Sequence, residues 1–248
     1  MAGHSKFKNI MRRKGAQDIK RGKIFTKIIR EVLVAARGGA DMDMNAKLRA
    51  AVIKARVENV PKDRIEAAIL KGSGGSGGEN YESVRYEGYG PNGVAILIEA
   101  LTDNRNRTAS EIRSYFTKCG GNLGETGSVN FMFDHVALIE YPAKQIVEDA
   151  MLEAAIEAGA DNCESDDELH HITCAIENFA QVRDALTAKF GDPKTATLTW
   201  FPNITAPANA ATAEAMIKLV DLLEDCDDVQ EVFTNIELTD SEAEKLSA

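Results

Sequence analysis

The sequence predicts an α+β protein of three domains: an N-terminal helical domain followed by two ferredoxin-like α/β domains, one inserted in the other. Three observations carry that expectation. At 248 residues the chain can bury two or three modest cores. Apolar residues recur at helical spacing over the first 71 residues, and beyond residue 84 the period changes to short strand-like runs alternating with helices. Between the two regimes lies GSGGSGG, residues 72–78, a composition suited to a flexible linker.

The element order follows from the N-terminus. Residues 20–37 place Ile24, Phe25, Ile28, Ile29, Val32, Leu33 and Ala36 on one side of a helical wheel. Lys20, Lys23, Lys27, Arg30 and Arg37 fall on the opposite side, within an arc of roughly 100°. One helix thus carries an apolar face and a cationic face. Gly38 and Gly39 end it. A second helix fits residues 45–59 and a third starts at Pro61, where proline is tolerated in a first turn. This helical domain spans residues 1–71, with a linker over 72–83.

Residues 84–89 and 94–101 read as strands joined by the turn GPNG. A helix from Thr108 to Lys118 follows, with Thr108 and Glu111 at capping-box spacing, and a strand is expected over 129–133. From His135 the pattern is strand (137–141), helix (143–158), strand (161–164), strand (172–176), helix (179–190) and strand (196–200). That is β-α-β-β-α-β, a ferredoxin-like split unit over residues 135–205. A last helix, 212–225, and a strand, 229–236, would complete the β-β-α-β begun at Val84. The middle domain is therefore expected to be discontinuous, residues 84–134 plus 206–240. The acids Asp221, Glu224, Asp225, Asp227 and Asp228 are expected to form a solvated helix end.

Charge points to function. The chain carries a net charge of −10, yet residues 1–71 hold 18 bases against 7 acids, and the remainder holds 11 bases against 32 acids. Such asymmetry suits a protein that engages a polyanion at one end. The candidate nucleic-acid contacts are Lys6, Lys8, Arg12, Arg13, Lys14, Lys20, Arg21, Lys23, Lys27 and Arg30, a basic arm running into a basic helix. Lys47, Arg49, Lys54, Arg56, Lys62 and Arg64 extend the basic character into the second and third helices. Arg105 and Arg107 lie beside a helix N-terminus, where free backbone donors favour an anion, although a pair bonding the loop or a neighbouring carboxylate fits them equally.

Several classes are disfavoured. The glycine-rich stretch is followed by no Lys-Ser or Lys-Thr and preceded by no strand, so it is not a P-loop. The apolar face of the first helix carries no Trp, which favours core packing over insertion at a membrane surface. No apolar run is long enough to span a membrane, and the start lacks a signal-peptide h-region, so a cytoplasmic protein is expected. Cys119, Cys163, Cys174 and Cys226 form no CxxC pair and read as reduced thiols. His170 and His171, preceded by Glu164, Asp166, Asp167 and Glu168, could in principle bind a metal, but acidic turns between strands are routine. No catalytic fingerprint occurs, and neither enzyme activity, cofactor nor metal is expected.

Three blocks, MAGHSKFKNIMRRKGAQDIKRGKIFTKIIREV, YEGYGPNGVAILIEALTDNRNRT and GGNLGETGSV, resemble the YebC family, which includes the mitochondrial translational activator of cytochrome c oxidase. Phe7 stands where that family usually has Trp. The resemblance implies three domains and a non-enzymatic role in gene expression, as a DNA-binding transcriptional regulator or an RNA-binding translation factor on the ribosome. It also points to the basic positions of the opening motif and to Arg105 and Arg107. The sequence has neither a helix-turn-helix with a polar recognition helix nor an RRM-type aromatic motif, so contacts to phosphates of DNA or ribosomal RNA are expected rather than base readout. The protein is expected to be a monomer. The alternative is an adaptor whose acidic α/β domains bind a basic protein partner.

Overall fold

A computed structural model describes Phe7, Met11 and residues 19–74 and 80–247. The helical part contains α1 (Ile19–Ala36), α2 (Ala46–Val57) and α3 (Lys62–Ser73). It closes over Ile28, Val32, Leu33, Ala36, Leu48, Ala51, Val52, Ala55 and Ile65, the apolar stripes of the three helices. Asn45 ties two of them together. Its side-chain oxygen caps α2 by accepting from the Leu48 amide at 3.1 Å, while its Nδ2 donates to the carbonyls of Ala35 (2.8 Å), in the last turn of α1, and Gly39 (2.9 Å), just beyond it. Gly72 of α3 lies so close to α1 that a Cβ would collide with the Leu33 carbonyl and the Ala36 side chain.

Two four-stranded antiparallel sheets follow. The first has the order β3-β1-β2-β9, built from β1 (Glu82–Tyr89), β2 (Ala95–Thr102), β3 (Asn122–Leu123) and β9 (Val229–Thr234). Strand β2, AILIEALT, is almost continuously apolar because it is covered on both faces. Ile96 and Ile98 pack against α4 (Arg105–Lys118) and α7 (Ala210–Glu224), in a core with Ile112, Phe116, Met216 and Leu219. Ala95 and Leu97 face the other way, toward Val129, Phe133 and Phe233.

The second sheet has the order β5-β6-β4-β7: β4 (Phe133–Pro142), β5 (Asn162–Ser165), β6 (Leu169–Cys174) and β7 (Thr195–Pro202). Its helices are α5 (Glu148–Ala158) and α6 (Phe179–Phe190), and Ile139, Tyr141, Met151, Ile172 and Leu186 fill the space between. The protein is thus a mixed α+β molecule with a helical N-terminal region. A two-residue parallel pair, β8 (Ala206–Pro207) with β10 (Ile236–Glu237), and a final helix α8 (Asp240–Ser247) complete it. Among the described residues no helix is long and apolar enough to cross a membrane.

Three local expectations are corrected. Of the strand expected over 129–133, only Phe133 is extended, as the first residue of β4: Asn130–Met132 form a 3-10 turn leading into it. The cause is Glu87, a buried carboxylate that accepts the amides of Gly127, Val129 and Asn130, each at 2.9 Å, and so takes the donors a strand would have offered to a neighbour. Helix α5 begins at Glu148, with 143–145 in a separate 3-10 turn. Helix α4 begins before Thr108, because Asn104 is the residue whose side chain caps it, accepting from the Arg107 amide at 3.1 Å. Thr108 lies inside the helix and turns its hydroxyl to Asn104 O and to Asp228.

Candidate nucleic-acid interface

The best-defined electrostatic feature is where the cationic face of α1 goes. It does not face solvent alone. The last turn of α7 and the following turn, residues 224–228, present carbonyls at the negative end of a helix dipole, together with two carboxylates. Lys23 donates to the Asp225 carbonyl (3.2 Å) and pairs with its carboxylate (3.0 Å). Lys27 donates to the Glu224 carbonyl at 2.6 Å, and its burial there pushes its pKa down despite the nearby acids.

Arg30 is the hub. Its guanidinium donates to the carbonyls of Leu101 and Asp227 and to Asp228 Oδ1 at 3.0 Å, and it stacks over the Tyr81 ring at 4.6 Å. Both partners of the Arg30–Asp228 pair are nearly buried, with side-chain exposures of 11% and 6%. Asp228 also accepts from Thr108 (2.6 Å), Arg107 (2.8 Å) and Thr102 (3.3 Å). Burial raises the Asp228 pKa, but hydrogen bonds from Arg107 and Thr108 and the charges of Arg107 and Arg30 outweigh it, holding the carboxyl below its ordinary 3.8. The acidic run is therefore not merely a solvated helix end: Asp228 is a buried receptor for two arginines, and the neighbouring backbone receives two lysines.

The other candidate residues divide as follows. Lys6, Lys8, Arg12, Arg13 and Lys14 lie outside the described residues, and Lys20 and Arg21 are described only as backbone of α1. Of that stretch, Phe7 is 2% exposed and packs with Met11 into the core of the first sheet. Arg107 bridges Asp103 and Asp228, both at 2.8 Å. Arg105, largely exposed, lies 3.5 Å from Glu82. On α2 and α3, Lys47, Arg49, Lys54, Arg56, Lys62 and Arg64 are all exposed, with Lys54 paired to Glu31 at 2.9 Å and Lys62 to Glu66 at 3.5 Å.

The remaining polar clusters have local partners. His171 bridges Glu140 and Asp166, both at 3.1 Å. His170 is buried, its ring nitrogens bonded to Ser165 Oγ (2.7 Å) and the Ile146 carbonyl (2.9 Å). Among the described residues no group of three or more His, Cys, Asp or Glu side chains is placed to hold a metal ion. Sequence reasoning missed the acceptors at 224–228. Their one signal was the coincidence of five acids within eight residues with a basic helix elsewhere in the chain.

Comparison with known proteins agrees with this architecture. Residues 5–75 match the family model of the TACO1/YebC protein N-terminal domain, and residues 81–236 match that of the TACO1/YebC second and third domain. A crystal structure of a conserved hypothetical protein from Aquifex aeolicus is similar at a TM-score of 0.82 and 45% sequence identity, over 90% of this chain and 93% of that one.

Proposed function

The chain belongs to the TACO1/YebC family, and from that premise we propose that it is a non-enzymatic regulator of gene expression that binds the phosphates of folded RNA, with the ribosome as its target. The observation that carries this reading is the segregation of charge. Seven basic side chains on α2 and α3 are exposed, and the acidic remainder of the molecule repels nucleic acid and so orients the contact. Duplex DNA is the less favoured target. The obvious helix for a groove, α1, spends Lys23, Lys27 and Arg30 on contacts within the protein.

The test is binding to ribosomes and to random-sequence duplex DNA over a salt series, with a Lys47→Glu/Arg56→Glu/Arg64→Glu variant as control. These three positions are exposed, so the variant keeps its fold. Charge reversal at Lys23, Lys27 and Arg30 would instead undock α1 and confuse binding with folding. Ribosome binding should weaken with salt and fall at least tenfold in the variant, while DNA binding stays at the non-specific level of roughly 10⁻⁴ to 10⁻⁶ M. Tight, sequence-dependent DNA binding would overturn the assignment to RNA. Ribosome binding unaffected by the variant would move the contact to the acidic domains and to a basic protein partner.

A further inference from the structure

A cavity of about 420 Å³ opens where the helical part meets both sheets, with Lys54 of α2 on one wall and Arg85, Trp200 and Phe233 on the others. Its floor is an ordered stack. Arg85 on β1 lies over the Trp200 ring at 4.2 Å, and His135, paired with Trp200 across β4 and β7, stacks on it at 4.5 Å with planes only 16° apart. The stack is locked from the side. Glu99 Oε1 accepts from Arg85 Nε (3.2 Å) and Nη2 (2.9 Å) and from Trp200 Nε1 (3.1 Å).

The indole is thus packed by both side chains, while His135 remains exposed to solvent. The same cavity is bordered by Gln230, whose Nε2 is buried and lacks any hydrogen-bond partner. An unpaired buried donor is costly, on the order of 1–3 kcal/mol, and marks a place where an acceptor is wanted. Carboxylates also line the cavity, so it suits a group with amino donors and a ring acceptor better than a phosphate.

We propose that this cavity receives one unpaired nucleobase, stacked on the exposed ring of His135 beside Trp200 and Arg85 and hydrogen-bonded at its edge by Gln230, whose now-buried amide turns toward the base on binding. The size is adequate, since ligand pockets of a few hundred Å³ are typical. The chemistry is that of single-stranded RNA recognition, in which splayed bases stack on aromatic and guanidinium planes and are read at their edges. The inference rests on the RNA-binding reading and adds base contact to it.

Trp200 is the only tryptophan of the chain, so its fluorescence reports on the site directly. The experiment titrates the full-length protein with an unstructured single-stranded RNA and with an abasic strand of the same length, reading anisotropy of the labelled strand and Trp200 emission together. The base-bearing strand should change Trp200 emission saturably and the abasic strand should not. His135→Ala, a change at an exposed side chain, should weaken the base-bearing strand roughly five- to a hundredfold, and His135→Phe should restore it. Equal binding of the two strands, or of wild type and His135→Ala, would sink the base site while leaving phosphate binding intact. Absence of salt-sensitive binding to either strand would overturn both. A Trp200 response to an arginine-rich peptide but not to RNA would reassign the cavity to a guanidinium group.

Discussion

Single side chains hold segments that the hydrogen-bonded ladders do not reach. Glu87 is the clearest case: one buried carboxylate replaces three backbone partners for the loop GETGSVN. In Glu87→Gln one oxygen becomes a donor facing donors. That substitution should lower the unfolding free energy by about 3 kcal/mol in a urea titration, as expected where charged hydrogen bonds are lost and amides are left unpaired. His171 sets a pH dependence. Burial lowers its pKa, but the hydrogen bonds to Glu140 and Asp166 outweigh this and raise it above the ordinary 6.5. The folded state thus favours the protonated ring. Its contribution is full below pH 6.5 and is lost as pH rises through the raised value. The urea midpoint of the wild type should fall across that range more than the midpoint of His171→Gln does.

At the scale of elements, α1 is shared. Its apolar face completes the helical core and its cationic face binds the end of α7, so it belongs mechanically to both. Arg30→Ala should cost about 2 kcal/mol, less than is typical for breaking a buried pair because Arg107 remains to share the Asp228 charge. Lys23→Ala, at an exposed pair, should cost less than about 1 kcal/mol. Hydrogen exchange along α1 would check both, with faster exchange expected in the Arg30 variant. Much of this element was readable from period alone, and helix α6 falls at the residues where the 3.6-residue period places it. What escaped was partnership: spacing shows that a face is cationic, and it does not show that an acidic turn about two hundred residues later receives it. The expected cap at Thr108 failed for a similar reason. Both Asn104 and Thr108 are competent caps, and the buried carboxylate of Asp228 claims the threonine.

Across the whole molecule, the α+β class and the charge polarity were legible because both are sums over many residues and tolerate local error. The stack at the junction was not, because it depends on register between positions distant in sequence. His135 faces Trp200, and Arg85 faces Glu99, only once β4, β7, β1 and β2 are paired. The charge balance also changes meaning at this scale. Part of the positive end is consumed internally, since Lys23 and Lys27 of α1 bind the end of α7, while the basic side chains of α2 and α3 are exposed.

The pairing of β2 with β9 has a temporal consequence. Glu99 of β2 lies beside Glu231 of β9, near the end of the chain, and the strands of the second sheet all lie between them in sequence. During synthesis at about 5–20 residues per second, β2 waits on the order of ten seconds for its neighbour. The second sheet, whose strands emerge within that interval, has time to form first. Through that wait one edge of the most apolar strand stands unpaired, the condition under which a nascent chain is most exposed to wrong pairing.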